Sequence, residues 1–301
     1  MKILLTGATG FIGSACARLA LTQGHEVAGL ILPWETPATD LAAHVSFRCL
    51  KGTLEDAPWK EIGAFGAETC LHTAWITTPG VYLESQENDK HLQWSLDFLR
   101  QMIASGTRHI TALGTCIEYQ AGHPVMTEDT TPVVPTTRYA RCKNELRLTL
   151  ESEAKSGHYS FCWGRVFYPY GPGEHPSRLC SFIIHKLRQN ETILLKTPAS
   201  TKDYIFISDL AAAILKVIEQ RFRGCINLGT GVGTTVLEMA QTVAQLLNKP
   251  ALVQTANPPL PDPAGDLIAD AHKLQALGWS AQVTLREGLM RLIQQAATGA
   301  E

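Results

Sequence analysis

The chain has 301 residues, 45% of them hydrophobic and 18% charged, enough for one large α/β domain or a nucleotide-binding domain with a smaller lobe. Twenty-six basic and 28 acidic residues leave a net charge of −2, which excludes the strongly basic surface of a nucleic-acid or anionic-membrane binder. Eight cysteines without a C-x-x-C pair and ten histidines without H-E-x-x-H spacing predict free thiols in a reducing compartment and no metal site.

The first predicted element is a strand over Lys2–Thr6. Its apolar run ends at Thr6-Gly7, too short for a secretory signal, and no apolar run in the chain reaches the ~18 residues of a membrane span. A cytoplasmic location is expected. The strand feeds Thr6-Gly7-Ala8-Thr9-Gly10-Phe11-Ile12-Gly13 and then a helix over Ser14–Gln23 that stops at Gly24. Glycines at a spacing of three and three, between a strand and a helix, permit a sharp turn and close approach of backbone to a pyrophosphate. The helix N-terminus offers that anion free N–H groups and partial positive charge. Gly7, Gly10 and Gly13, with Thr9, Phe11 and Ile12 between them, are therefore a candidate dinucleotide site.

Further strands are predicted at Glu26–Ile31, Val45–Leu50, Thr69–Thr73, His109–Leu113, Ser160–Gly164 and Cys225–Gly229. Helices are predicted at Asn88–Ser105 and Tyr139–Ser156. Such alternation argues for a parallel sheet covered on both faces. After Arg165 the rhythm is lost. A loop at Tyr168–Gly173, a helix over Ser177–Gln189, the proline-rich Ala256–Asp266 and a last helix over Leu285–Gln295 predict a smaller lobe over the carboxyl ends of the strands, where ligands of open α/β sheets bind. Trp34, Trp59 and Trp279 read as packing residues.

Tyr139 and Lys143 share one face of their helix, four residues apart. A phenol with an ordinary pKa near ~10 is a poor acid or base at neutral pH, and an adjacent ammonium favours its phenolate. Thr115, just beyond the strand His109–Leu113, supplies a hydroxyl that can donate to a substrate oxygen.

The order of glycine loop, strand-end hydroxyl and Tyr/Lys helix resembles the extended short-chain dehydrogenase/reductases of the NAD-dependent epimerase/dehydratase type. Three later strings carry the likeness across nearly the whole chain. Arg165–Gly173 resembles R-x-F-N-x-Y-G-P-G, Lys202–Leu210 resembles R-D-[YF]-[IV]-H-V-x-D-[LV], and Asn227–Gly231 resembles N-[IL]-G-[ST]-G. The resemblance implies a doubly wound parallel Rossmann sheet with a smaller C-terminal substrate-binding lobe. Residues 1–164, with 203–230 returning, would form the first part, and 165–202 with 231–301 the second.

By the same resemblance, Thr115, Tyr139 and Lys143 are the catalytic set. Tyr139 is the acid/base, and Lys143 also binds the nicotinamide ribose. The dinucleotide would further lie along Ile31, Thr53, Leu54, His72, Thr73 and Ala74. A nucleotide-sugar substrate would meet Trp75, Thr115, Cys116, Tyr168, His175 and Lys202. A homodimer, paired through the helices that begin near Asn88 and Tyr139, is implied as well.

Several family positions differ. Leu30–Pro33 has no acid to bind the adenosine ribose, so NAD and NADP are both admissible, with a slight lean to NADP. Thr53 stands where the family carries an Asp, Tyr168 replaces an Asn, and Lys202 replaces an Arg, a point charge instead of a planar fork. The late R-x-G-D arginine has no counterpart in Pro261–Asp266. The family's helical Asn corresponds to His91 or, a turn earlier, to Asn88. Sugar 4,6-dehydratases follow the Thr with Asp and Glu, whereas here Glu118 comes one position late, which argues against dehydration.

G-T-C-x-E-Y, with Trp75 and Glu174-His175-Pro176, is similar to reductases of deoxysugar pathways, including synthases of CDP-abequose. The leading expectation is reduction of a nucleotide-linked 4-keto-6-deoxyhexose. A 4-epimerase with tightly held NAD is the rival, and a non-catalytic cofactor-binding protein is the alternative of another class.

Overall fold

A computed structural model describes residues 1–155, 157 and 159–298. The expected helix end at Ser156 and the expected lobe residues 299–301 lie outside the described residues. The elements in chain order are β1 (Lys2–Thr6), α1 (Phe11–Thr22), β2 (Glu26–Ile31), α2 (Thr39–Ala42), β3 (Phe47–Lys51), α3 (Trp59–Phe65), β4 (Thr69–His72), α4 (Glu87–Ala104), β5 (His109–Thr115), a 3₁₀ turn (Cys116–Glu118), α5 (Arg138–Ala154) and β6 (Ser160–Val166). They continue with β7 (Tyr168–Tyr170), α6 (Leu179–Arg188), β8 (Ile193–Leu195), β9 (Thr201–Phe206), α7 (Ile207–Glu219), β10 (Gly224–Leu228), β11 (Gly233–Thr235), α8 (Val236–Leu246), β12 (Val253–Thr255), α9 (His272–Ala276) and α10 (Leu285–Thr298).

Seven strands form the main sheet in the order β10-β6-β5-β4-β1-β2-β3, and the pairs β1–β2, β1–β4, β2–β3 and β4–β5 are parallel. From β1 the chain steps outward to β2 and β3, then returns to the other side of β1 for β4 and β5. The order therefore reverses between β1 and β4, the switch point at which loops diverge and leave a crevice. The core strands are near-continuous apolar runs, as burial on both faces requires. Leu4, Cys70, Ile110 and Ala112 are all fully buried. Among the described residues no helix is long and apolar enough to cross a membrane.

The chain divides into two compact units. The first comprises residues 1–118, 134–165 and 211–226, and the second comprises 119–133, 166–210 and 227–301. Residues 119–133 fall in the second unit because its own groups hold them. The Tyr119 hydroxyl donates to Asn227 Oδ1 at 2.7 Å, and Asn227 Nδ2 donates to the Met126 carbonyl at 2.8 Å. Within the second unit β11, β9 and β7 form a small sheet and β12 pairs with β8.

Candidate functional site

The glycine run turns at the end of β1 against the end of β4. Gly7 has φ +69°, and a Cβ there would lie 2.9 Å from Thr73 Oγ1. A Cβ on Gly13 would come to 2.1 Å from the Gly7 carbonyl oxygen, so only glycine lets the first turn of α1 pass the loop. The helix starts at Phe11, earlier than the expected Ser14, with Gly10 as its N-cap and no side-chain cap. The first turn of α1 carries no acidic residue. Free N–H groups, positive dipole and a cradle that a Cβ would fill suit the pyrophosphate of a dinucleotide. Thr9 in this loop and Phe11 and Ile12 in the first turn of α1 are half-buried, and Ile31 is buried at the end of β2.

The sequence reading missed one acid here. Glu35, four residues beyond β2, folds back so that its carboxylate accepts from Thr9 Oγ1 at 2.6 Å and from the Leu32 amide at 3.1 Å. The signal was available in the spacing, since an acid about 20 residues past the glycines is where such sites read the adenosine ribose. Trp34 beside it is 74% exposed, which corrects its reading as a packing residue. Trp59 does pack, its ring 5.1 Å from Phe98, and Trp279 is buried with its indole N–H on the Asp209 carbonyl.

His72 is not available to a ligand. It is fully buried, with Nδ1 3.0 Å from Thr6 Oγ1 and Nε2 3.0 Å from Ser95 Oγ. Burial, then the nearby Lys143 charge, pulls its pKa down to about 3, so it is a neutral tie between β1, β4 and α4. Thr73 and Ala74 amides donate to Thr6 Oγ1 at 3.1 and 3.2 Å, fixing the strand end at the switch point. Thr53 makes a turn of its own, its Oγ1 accepting from the Asp56 amide at 2.8 Å, and Leu54 packs on the core.

Tyr139 and Lys143 lie in the first turns of α5, whose N-terminus is capped by Thr137, the side chain accepting from the Ala140 amide at 3.2 Å. The Tyr139 amide donates to the Leu83 carbonyl, and its ring meets Tyr82 edge-on at 4.9 Å. Lys143 is 3% exposed and donates to the Leu113 carbonyl of β5 at 3.0 Å. Leu113 precedes Thr115 by two residues, so one strand end carries both the lysine anchor and the half-buried hydroxyl. Burial pulls Lys143 down to about 7, and the Glu118 carboxylate opposes that shift. The Trp75 ring centroid is 3.9 Å from Lys143 Nζ, and its indole N–H donates to Asn88 Oδ1 at 2.8 Å. Cys116 is buried at this strand end.

Glu118 is engaged on every side by groups of its own surroundings. Wholly buried, it accepts from the Thr115 amide at 2.8 Å, the Trp163 indole at 3.0 Å and Arg165 Nε at 2.8 Å. It supports the strand end.

In the second unit, Tyr168 and Lys202 line a cleft of about 370 Å³ with Phe182, Ile193, Leu195 and Asp262. Lys202 is 4% exposed and already paired, 2.9 Å from Asp262 Oδ2 and bonded to the Gly265 carbonyl. The Tyr168 ring centre lies 5.3 Å from the same ammonium. His175 is exposed and serves its own turn, Nδ1 accepting from the Ser177 amide at 3.2 Å.

A model of the NAD dependent epimerase/dehydratase family matches residues 3–229. The chain is 27% identical over 305 residues to a UDP-glucose 4-epimerase of Corynebacterium glutamicum, covering 94% of this chain and 92% of that one. It is 24% identical over 307 residues to a dTDP-4-dehydro-6-deoxyglucose reductase of Escherichia coli, covering 97% and 96%. The solved UDP-glucose 4-epimerase of Thermus thermophilus, in complex with NAD, has a TM-score of 0.85 at 24% identity, with 100% of both chains covered. This last likeness concerns the fold. The protein belongs to the NAD dependent epimerase/dehydratase family, a family of enzymes.

Proposed function

We propose that this enzyme transfers hydride between a nicotinamide dinucleotide and C4 of a nucleotide-linked hexose, in the direction that reduces a 4-keto-6-deoxyhexose. The observation that carries the reading is the Lys143 ammonium, anchored on the carbonyl of Leu113 two residues before Thr115 and 5.9 Å from the centre of the Tyr139 ring. When bound, the nicotinamide supplies the hydride. Thr115 donates to the substrate oxygen, Tyr139 delivers the proton that converts the developing alkoxide to a hydroxyl, and Lys143 stabilises the phenolate left behind. Gly7, Gly10 and Gly13 hold the pyrophosphate, while the cleft beside Tyr168 and Lys202 takes the nucleotide part of the substrate. The likeness to the Escherichia coli reductase and the engagement of Glu118 with Arg165 support reduction over dehydration.

The 4-epimerase reading is favoured by a different observation. The Glu35 carboxylate on Thr9 suits the ribose hydroxyls of NAD and repels the 2′-phosphate of NADP, and the relative from Corynebacterium glutamicum is an epimerase. On this ground NAD, against the slight lean of the sequence to NADP, is the dinucleotide proposed for either reaction. A homodimer paired through α4 and α5 completes the reading, and light scattering tests it.

The deciding experiment assays purified protein with NADH and a dTDP- or UDP-linked 4-keto-6-deoxyhexose, and separately with UDP-glucose or UDP-galactose alone. Consumption of NADH with the keto-sugar supports the reductase. Interconversion of the hexoses with NAD retained through purification supports the epimerase. Tyr139→Phe is expected to lower either activity by about 10²–10⁴-fold while dinucleotide binding persists, and undiminished activity would remove the proton-donor role.

A further inference from the structure

Trp75 stands where the sequence predicts a substrate contact, yet its indole face lies on an ammonium. Lys143 Nζ is 3.9 Å from the centre of the Trp75 ring, well inside the ~6 Å over which an aromatic face attracts a cation. The indole is held there from three sides. Its N–H donates to Asn88 Oδ1, its ring centre lies 5.6 Å from that of His91, and Tyr139 meets it edge-on at 6.5 Å. Asn88 is itself fixed, fully buried and donating through Nδ2 to the carbonyls of Tyr82 and Ser85 at 2.6 and 2.9 Å. A side chain bound on so many sides is a rigid wall.

The lysine has three N–H donors and no acceptor. One is taken by the Leu113 carbonyl at 3.0 Å, and the ring face covers another direction. What faces the ammonium is otherwise sparse. Glu118, from the 3₁₀ turn, is the opposite charge that acts on it. His72 from β4 and His91 from α4 are both held neutral, pulled down to about 3 and about 4 by burial and then by Lys143 itself. Tyr139, on the same helix, has its ring centre 5.9 Å away. Burial in such surroundings pushes the lysine towards its neutral form, and the Glu118 carboxylate is already committed to Arg165.

We infer that Trp75 is a positioning residue for the proposed reaction: its indole face keeps the Lys143 ammonium charged and aimed beside Tyr139. The inference rests on the Tyr139/Lys143 reading for its catalytic meaning, but the charge-holding role is a property of the apoprotein. It predicts that the ring's electron density, and not only its bulk, sets the charge of Lys143.

The test is an NMR titration of apoprotein labelled with ¹³C at the lysine ε carbons, with the Lys143 signal assigned by its absence in Lys143→Met. Replacing tryptophan by fluorinated tryptophans drains the ring face at nearly constant shape. Each added fluorine is expected to lower the Lys143 pKa, and Trp75→Leu to lower it by about one unit, a tenfold change in the charged-to-neutral ratio. Trp75→Phe should fall between, and the alkaline limb of kcat/KM should move down in pH with it. A Lys143 titration unchanged across the fluorinated series overturns the inference, whatever the Leu variant does to folding. Because no substrate enters the titration, this result is separate from the Tyr139→Phe assay. A protein that fails that assay but shows the fluorine series loses its catalytic reading and keeps the indole–ammonium contact.

Discussion

The Glu118 carboxylate meets Arg165 Nε at 2.8 Å with both side chains all but removed from water. Breaking one side of such a pair strands the other charge in a low-dielectric interior. Glu118→Leu and Arg165→Leu are each expected to lower stability by about 3–5 kcal/mol. The double variant should lose distinctly less than the sum of the two. Urea denaturation of all four proteins checks this, and additive losses would show that the two groups are not energetically coupled.

Glu35 offers a test of dinucleotide choice. Its carboxylate accepts from Thr9 in the glycine loop. Glu35→Gln keeps an acceptor and removes the charge that repels a 2′-phosphate. The ratio of NADH to NADPH affinity, from fluorescence titration of each, is expected to fall by about tenfold or more. An unchanged ratio would mean that this carboxylate does not read the ribose.

Lys143 should trade stability for function. Its folded pKa is held at about 7 against an ordinary 10.5, burial being the cause. Below about pH 7 both folded and unfolded chains carry the proton, and the full cost of the buried charge stands. Between about 7 and 10.5 the unfolded chain binds more protons than the folded one, so this residue's contribution becomes more favourable as pH rises. Lys143→Met is therefore expected to be more stable than the parent at pH 6, by an amount that shrinks towards pH 10, while activity is lost. Paired denaturant melts at the two pH values measure it.

Lys202 and Asp262 give the last prediction. With Asp262 Oδ2 at 2.9 Å, the cation in the second unit's cleft is largely neutralised before any anion arrives. Asp262→Asn is expected to tighten binding of UDP or dTDP by about tenfold, since it removes a like charge from the path of a diphosphate. It should also lower stability, because Lys202 stays buried. Calorimetric titration with each nucleotide reads the first effect and thermal melting the second.

The local devices were legible in the sequence. The glycine run, its strand and its helix follow from backbone sterics within a short N-terminal stretch, and the Tyr139/Lys143 pair follows from the pitch of one helix. Alternating strands and helices announced the parallel sheet, whereas Tyr168–Gly173, expected as a loop, contains β7, and β9, α7 and α8 were not foreseen. β5 continues through Thr115, two residues past the predicted end at Leu113.

What tertiary structure decided are the partners of charges and rings. A turn after β2 returns Glu35 to Thr9, although Leu30–Pro33 itself carries no acid. The switch between β1 and β4 buries His72 between Thr6 and Ser95 and so withdraws it from any ligand. Trp75 comes to rest on Lys143, Glu118 on Arg165 and Asp262 on Lys202. Each of these contacts joins residues far apart in sequence whose meeting depends on how whole elements pack. Backbone propensity and periodicity act over a few residues and carry no record of that packing, whereas burial, which pulls His72 and Lys143 below their ordinary pKa values, exists only once it has occurred.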